Sequence, residues 1–402
     1  QVLFPVSAYR RSCMLGILPL MIFAAFMSCA GSRRGNEGVG GSGRAVGRSA
    51  LDRRIIILLE SGRFYRVLDL ADSVISGGMR NPRILGQKAQ ALGALGRMDE
   101  AVELFEEALV EDYESCENHL NFAVVLMRMG KTGRAVTEFC VAKRFCSGKN
   151  MSVIHRNLAV ANIKLGKNDL AFNMVREGIE LNPGDPYLMG LKGMLIAESS
   201  PAEAESLFTM LQRAGDVAPE FLFQFGLLLL RTGRSSRAVE VLETAARARP
   251  GDDEVQFVFA EALDRADRSG EAETVLRSLS GRGSDGEVRR KLAGVIFRQG
   301  RFREAFEIYE KLQRTPEIMD RMAMCLHGLG NLDEALSWER EALDARPDWT
   351  VAMLNMAVIL AARGELEEAA SILKRVLGID PDNATARINL DRLRRAGKET
   401  EQ

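Results

Sequence analysis

Catalysis needs nucleophiles, general bases and metal ligands, and this sequence is thinly supplied with them. It has three histidines, at positions 119, 155 and 327. His119 and His155 fall at one position of an internal repeat, near a seam between helices, which suits packing better than proton transfer or ligation. Six cysteines stand at 13, 29, 116, 140, 146 and 325, with no CxxC pair. No GxSxG elbow, HExxH helix or phosphate-cradling GxxxxGK[ST] loop occurs. Acidic residues are numerous but sit beside basic ones, as on solvated faces. Lys plus Arg number 54 and Asp plus Glu 55, a net of −1, so no basic field draws in nucleic acid. The expectation is a noncatalytic protein with no cofactor, no metal, no small-molecule substrate and no nucleic acid partner.

One cysteine does carry a chemical expectation. Arg10 and Arg11 precede an apolar run from Met14 to Met27, short for a bilayer span but suited to a signal-peptide core. The run ends in Phe26-Met27-Ser28-Cys29-Ala30-Gly31. This resembles the lipobox of bacterial lipoproteins, in which the cysteine is lipidated and becomes the new N-terminus, although Phe26 and Met27 depart from the usual residues. The resemblance implies lipidation at Cys29 and a place in the bacterial cell envelope, lipid-anchored in the periplasm or at the outer membrane. Secretion or a plain N-terminal membrane anchor is the alternative. Residues Gly31–Arg48 hold seven glycines and no large apolar side chain, which reads as a flexible tether. The expected organisation is a signal peptide over 1–29, a tether over 30–50, a repeat body over 51–381, and a capping helix with a frayed tail over 382–402.

The body repeats itself. LGRMDEAVELFEEAL from Leu95, QGRFREAFEIYEKLQ from Gln299 and RGELEEAASILKRVL from Arg363 share one phrase. Alanine recurs at 101, 135, 171, 204, 238, 272, 305, 335 and 369, spaced by 33 to 36 residues except for one interval of 30. A second small-residue column holds Ala89, Ala123, Ala159, Gly226, Ala260, Ala293, Ala323 and Ala357. A glycine column holds Gly62, Gly96, Gly130, Gly166, Gly233, Gly300, Gly330 and Gly364, broken at Ser199 and Asp267. Small residues permit close helix crossing, glycine ends a helix, and apolar residues at i, i+3, i+4 and i+7 face a partner helix. All nine prolines after residue 50 fall at element boundaries in this frame, as the penalty of about 3 kcal/mol for an interior proline requires.

The pattern of alanine, bulky apolar residue, alanine and proline resembles the tetratricopeptide repeat (TPR) family over about residues 51–381, roughly ten motifs. The resemblance implies an all-α, right-handed α-solenoid of about ten TPR helix pairs, with first helices lining a concave groove and a C-terminal capping helix. Ile55 and Val67 in the first motif, Lys192 in the fifth and Glu339 in the ninth depart from the pattern. The 30-residue interval before Ala335 predicts a shortened connection near Thr315.

In such arrays first-helix positions face the groove. Here they offer Leu120, Asn121, Val124, Met127, Arg156, Asn157, Val160, Ile163, Met189, Ile196, Phe223, Leu227, Leu230 and Phe257. An apolar run on a face that would otherwise be wet marks an interaction site. The expected function is a protein–protein interaction scaffold that takes an apolar or amphipathic segment of a partner in the groove. Burial of this run between neighbouring first helices is the competing reading, and a self-associating structural subunit of an envelope complex is the alternative function. Asn121 and Asn157 suit hydrogen bonds to a ligand backbone. Cys116 opens one helix and Cys146 closes its antiparallel partner. Export would allow a disulfide between them, with free buried thiols as the alternative.

Overall fold

The computed structural model describes residues 44–215, 217–282 and 286–400. Every regular element among them is a helix. In chain order these are α1 (Arg44–Glu60), α2 (Phe64–Ser76), α3 (Pro82–Ala94), α4 (Met98–Glu111), α5 (Cys116–Arg128), α6 (Thr132–Phe145), α7 (Lys149–Lys164), α8 (Asn168–Leu181), α9 (Pro186–Ile196), α10 (Pro201–Ala214), α11 (Pro219–Arg231), α12 (Ser235–Ala248), α13 (Asp253–Arg265), α14 (Ser269–Ser280), α15 (Gly286–Arg298), α16 (Phe302–Tyr309), α17 (Pro316–Gly328), α18 (Leu332–Ala345), α19 (Thr350–Arg363), α20 (Leu366–Ile379) and α21 (Ala384–Thr400). They form two compact units, one ending at Leu228 and one beginning at Leu229. Within each unit, helices consecutive in the chain pack as antiparallel pairs.

Each pair is made by the same local chemistry. Five first helices begin at side-chain caps: Asn81 accepts from Ile84 N, Ser115 from Asn118 N, Asp185 from Tyr187 N and Leu188 N, Asp252 from Val255 N, and Thr315 from Ile318 N. Such caps satisfy otherwise unpaired amides. First helices end at the glycine column. Gly96, Gly130, Gly166, Gly233, Gly300, Gly330 and Gly364 all have φ between 70° and 91°, where a side chain would be strained. The amide after the glycine then reaches back to the helix, as Arg97 N does to Leu92 O (3.0 Å) and Lys131 N to Leu126 O (2.9 Å), closing a Schellman-type turn. Asp267 takes up the same conformation at φ 59°.

The alanine column is where the pairs close. All nine alanines from Ala101 to Ala369 are fully buried, so nothing larger fits at the crossing. Four residues on, Phe105, Phe139, Val175, Phe208, Leu242, Leu276, Tyr309 and Leu373 fill the space between helices and are buried as well. Fully burying such a side chain contributes about 1.5–3 kcal/mol.

Three boundaries differ from expectation. The first helix begins at Arg44, inside the expected tether. The 30-residue interval is absorbed by α16, a second helix of only eight residues, followed by a turn into the Thr315 cap. The last helix runs to Thr400, so the tail expected to fray from Lys398 is helical there. Cys29, the signal core and residues up to 43 lie outside the described residues. No described helix is long and apolar enough to cross a membrane.

Candidate binding face on the first helices

The expected groove residues divide by burial. In the first unit Leu120, Val124, Met127, Val160, Ile163, Ile196 and Phe223 are buried, and so are Leu230 and Phe257 in the second. Met189 and Leu227 are half-buried. The expectation of a wet apolar face is therefore corrected. Side chains of this size span much of the roughly 8–10 Å that separates packed helices, and neighbouring helices cover them. Phe208 and Phe225 stack with centroids 5.4 Å apart. Phe221 lies across Gly190, where a Cβ would come within 2.5 Å of the ring.

The polar members are placed differently. Asn121 is buried, while Asn157 and Arg156 are half-buried. Two residues before the small-residue column, first helices of the first unit carry Gln87, Asn121, Asn157 and Gln224, amides at one register of α3, α5, α7 and α11. Gln87 Oε1 and Asn157 Nδ2 are covered and have no hydrogen-bond partner.

Beside Asn157 a connected cluster ties α7 to α9. Asp185 caps α9 with one carboxylate oxygen and with the other accepts from Ser152 Oγ at 2.6 Å. Arg156 Nε stands 3.5 Å from the same oxygen, making an ion pair rather than a hydrogen bond. The Arg156 guanidinium also sits 5.6 Å from the centre of the Tyr187 ring, within cation–π range. Tyr187 meets Phe221 edge-on at 5.1 Å. Its hydroxyl is covered and unpartnered, and burial pushes that phenol well above its usual range. Sequence reasoning missed Gln87 and Tyr187. The shared amide register gave a signal for Gln87, but nothing in the motif pointed to Tyr187.

The histidines are held within the helix packing. His119 lies 2.7 Å from Glu138 Oε2 and 2.7 Å from Tyr113 O. His155 lies 2.7 Å from Met151 O and 3.1 Å from Glu177 Oε2. Glu177 also accepts from Lys143 Nζ at 2.6 Å, and that bond first of all holds its carboxyl below the usual carboxylate range. Cys116 and Cys146 are joined by a disulfide with Cα atoms 5.1 Å apart, fastening the start of α5 to the residue after α6. Cys140 and Cys325 are free.

In the second unit several charges on this face are paired with one another, while Glu254 Oε1 is covered and has no hydrogen-bond partner. Lys291 and Arg298 both pair with Asp264. Burial opposes ionisation of Asp264, but the two cations outweigh it and hold the carboxyl below its usual range. Arg265 pairs with Glu261, and Arg290 with Glu287. Arg128 donates to Gly93 O (2.6 Å) and Arg265 to Leu230 O (3.4 Å). Each of these arginines lies five residues past the small column and neutralises the carbonyl end of the preceding first helix, a column that motif reading passed over.

Arrays of this kind, antiparallel helix pairs repeated at a fixed spacing, define the class of helical-repeat scaffolds that generally serve protein–protein interaction. Tetratricopeptide repeat models match residues 82–109, 152–282 and 326–388, together more than half of the chain, and the chain belongs to the tetratricopeptide repeat family. A search of curated protein sequences found no match. Among solved structures it is similar to pilF of Pseudomonas aeruginosa, at 17% identity and a TM-score of 0.49, covering 55% of this chain and all of that one. It is also similar to yeast Tom70, at 12% identity and a TM-score of 0.40, covering 89% of this chain and 90% of that one. A third likeness is YrrB, described as a TPR protein with an unusual peptide-binding site, at 18% identity and a TM-score of 0.37, covering 45% of this chain and 93% of that one. At these identities the likeness is one of fold.

Proposed function

We propose that the first unit holds an extended segment of a partner protein across α3, α5, α7 and α9, gripping its backbone more than its side chains. The observation that carries this reading is the set of unpartnered polar atoms on that face: Gln87 Oε1, Asn157 Nδ2 and Tyr187 Oη. Covered polar atoms without partners are rare and costly, and a peptide backbone supplies the donors and acceptors they lack. The spacing suits it. Packed helices lie about 8–10 Å apart and an extended chain rises about 3.3 Å per residue, so amides on successive first helices meet every third residue. Half-buried Met189 supplies the apolar contact that remains open in this stretch. The test is selection of peptides from a displayed random library on the full chain. Peptides so selected are expected to lose at least tenfold in affinity to Asn157→Ala and to Tyr187→Phe and none to Glu304→Ala. Binding that ignores both first-helix variants would overturn the reading.

The site of action is proposed as the bacterial cell envelope, with Cys29 lipidated and the body borne on the membrane. The lipobox-like Ser28-Cys29-Ala30 supports this, as does the Cys116–Cys146 disulfide, since disulfides persist in oxidising compartments. Cys29→Ala is expected to move the protein from the detergent phase to the aqueous phase, and an unchanged partition would remove the anchor. The alternative, a self-associating envelope subunit, draws support from the exposed Val110, Tyr113 and Leu181 near second-helix ends. A monomer by light scattering at micromolar concentration would count against it.

A further inference from the structure

The second helices carry an apolar or aromatic side chain four residues after the column alanine, with one exception. In α18 that place is taken by Glu339, which is 0% exposed, and neither of its carboxyl oxygens has a hydrogen-bond partner. An ionised carboxylate left alone in a helix core is heavily penalised. The adjoining acid is Asp320 of α17, itself 2% exposed. Asp320 accepts from Asn355 Nδ2 of α19 at 2.6 Å, and Arg321 Nε lies 3.9 Å from its other oxygen. Burial and then the charge of Asp320 push Glu339 up to about 9. Burial also raises Asp320, against the opposing pull of Asn355 and Arg321.

The remaining ionisable groups near this point are few. From α17, Arg321 acts on both acids and Glu317 acts on Asp320. Cys325, buried on the same helix, is pushed up to about 12, as is Tyr309 of α16, both by burial. His327 lies two turns further along α17. The only ionisable residue of α19 is Arg363 at its far end, paired with Asp333 and Glu365. The other charged residues of α18, namely Asp333, Glu334, Arg340, Glu341 and Asp344, are exposed.

We propose that Glu339 is kept as a neutral acid whose proton is donated to Asp320, so that Glu339, Asp320 and Asn355 form one hydrogen-bonded chain tying α18 to α17 and α19, and that alkaline pH unlocks this part of the second unit. A side-chain rotation that brings the Glu339 hydroxyl onto Asp320 satisfies the unpartnered atom. Loss of the proton leaves two carboxylates facing each other in the core. The folded state binds a proton that the unfolded state has released, so stability is full below the ordinary glutamate range. It falls as pH rises until about 9, where the folded state loses the proton too.

Both tryptophans of the chain, Trp338 beside Glu339 and Trp349 at the start of α19, lie in the second unit, so their fluorescence reports on it. The test is denaturant unfolding of the full chain followed by tryptophan emission from pH 6 to 10, in wild type, Glu339→Gln and Glu339→Leu. In wild type the folded-to-unfolded ratio is expected to drop by about tenfold per pH unit up to about 9 through this one proton. Both variants should lack that component, the leucine restoring the apolar occupant of the register. Variants whose pH profiles run parallel to wild type would overturn the proposal. Infrared spectra of the wild type decide the matter independently of how the variants fold. A buried neutral carboxylic acid band at pH 7 that vanishes by pH 10 is expected, and no such band overturns it.

Discussion

The two units follow one repeat frame yet are fastened by different chemistry. In the first, a disulfide joins α5 to α6, and two buried histidines bridge helices to Glu138 and Glu177. Its first helices keep unpartnered amide and phenol atoms. In the second, clusters of shared ion pairs join the helices. Glu273 and Glu304 are both shared by Arg277 and Arg301 across α14 and α16, and Asp264 is clamped by two cations. The frame needs only small residues at the crossings and an apolar wedge four residues on. Everything outside those positions is free to diverge, and the covered polar atoms left without hydrogen-bond partners differ accordingly: amide and phenol groups in the first unit, the carboxyl groups of Glu254 and Glu339 in the second.

The comparison can be broken most forcefully through the wedge. Phe139→Ala in α6 is expected to cost about 3–5 kcal/mol, in a melting transition seen by far-ultraviolet circular dichroism. Tryptophan emission from the second unit should move less, because repeats contact chiefly their neighbours. Equal shifts in both signals would show that the units melt as one. Reduction of the disulfide, or Cys116→Ser, comes next, at about 2–4 kcal/mol for a crosslink spanning 30 residues. Its loss should appear in the circular dichroism signal first.

Asp264→Asn sharpens the charge side of the contrast. The folded carboxyl titrates below its usual 3.8, so its contribution is present above that pH and disappears as pH falls through the lower folded value. Wild type should therefore exceed the variant by about 1–3 kcal/mol at pH 7, with the gap closing in acid denaturation followed by tryptophan emission. Arg268→Ala removes a solvent-exposed pairing with Glu271. Its expected effect on melting temperature by calorimetry is too small to resolve, because solvent already screens such a pair.

The frame was legible because each of its parts has a residue type that little else can replace. Ala101 and its eight counterparts lie where two helix backbones cross. The glycine column marks turns with positive φ, and even its exceptions are informative. Asp267 adopts the turn, whereas at Ser199 the backbone departs from it and α9 already ends at Ile196. Asp and Ser alone gave no means of telling these outcomes apart.

The binding face was less legible. Periodicity tells which side of a helix Val160 or Phe223 occupies, but it says nothing about how closely the neighbouring helices approach, and both are buried. Val160 is only 3% exposed, so an aspartate there would disrupt the packing and cannot serve as a probe of partner binding. Glu339 was visible as a departure from the motif. Its pairing with Asp320 was not, since the two lie on different helices and meet only once α17 and α18 have folded against each other.

Asp267 carries a further consequence. Aspartate is one of the few non-glycine residues that adopt the left-handed region, and here glycine would be the relaxed occupant. A single nucleotide exchange separates aspartate codons from glycine codons, so this improvement has always lain one mutational step away. That it is untaken fits a protein selected to clear a threshold of foldedness and not to maximise it, and it leaves position 267 as a ready starting point for hardening the fold.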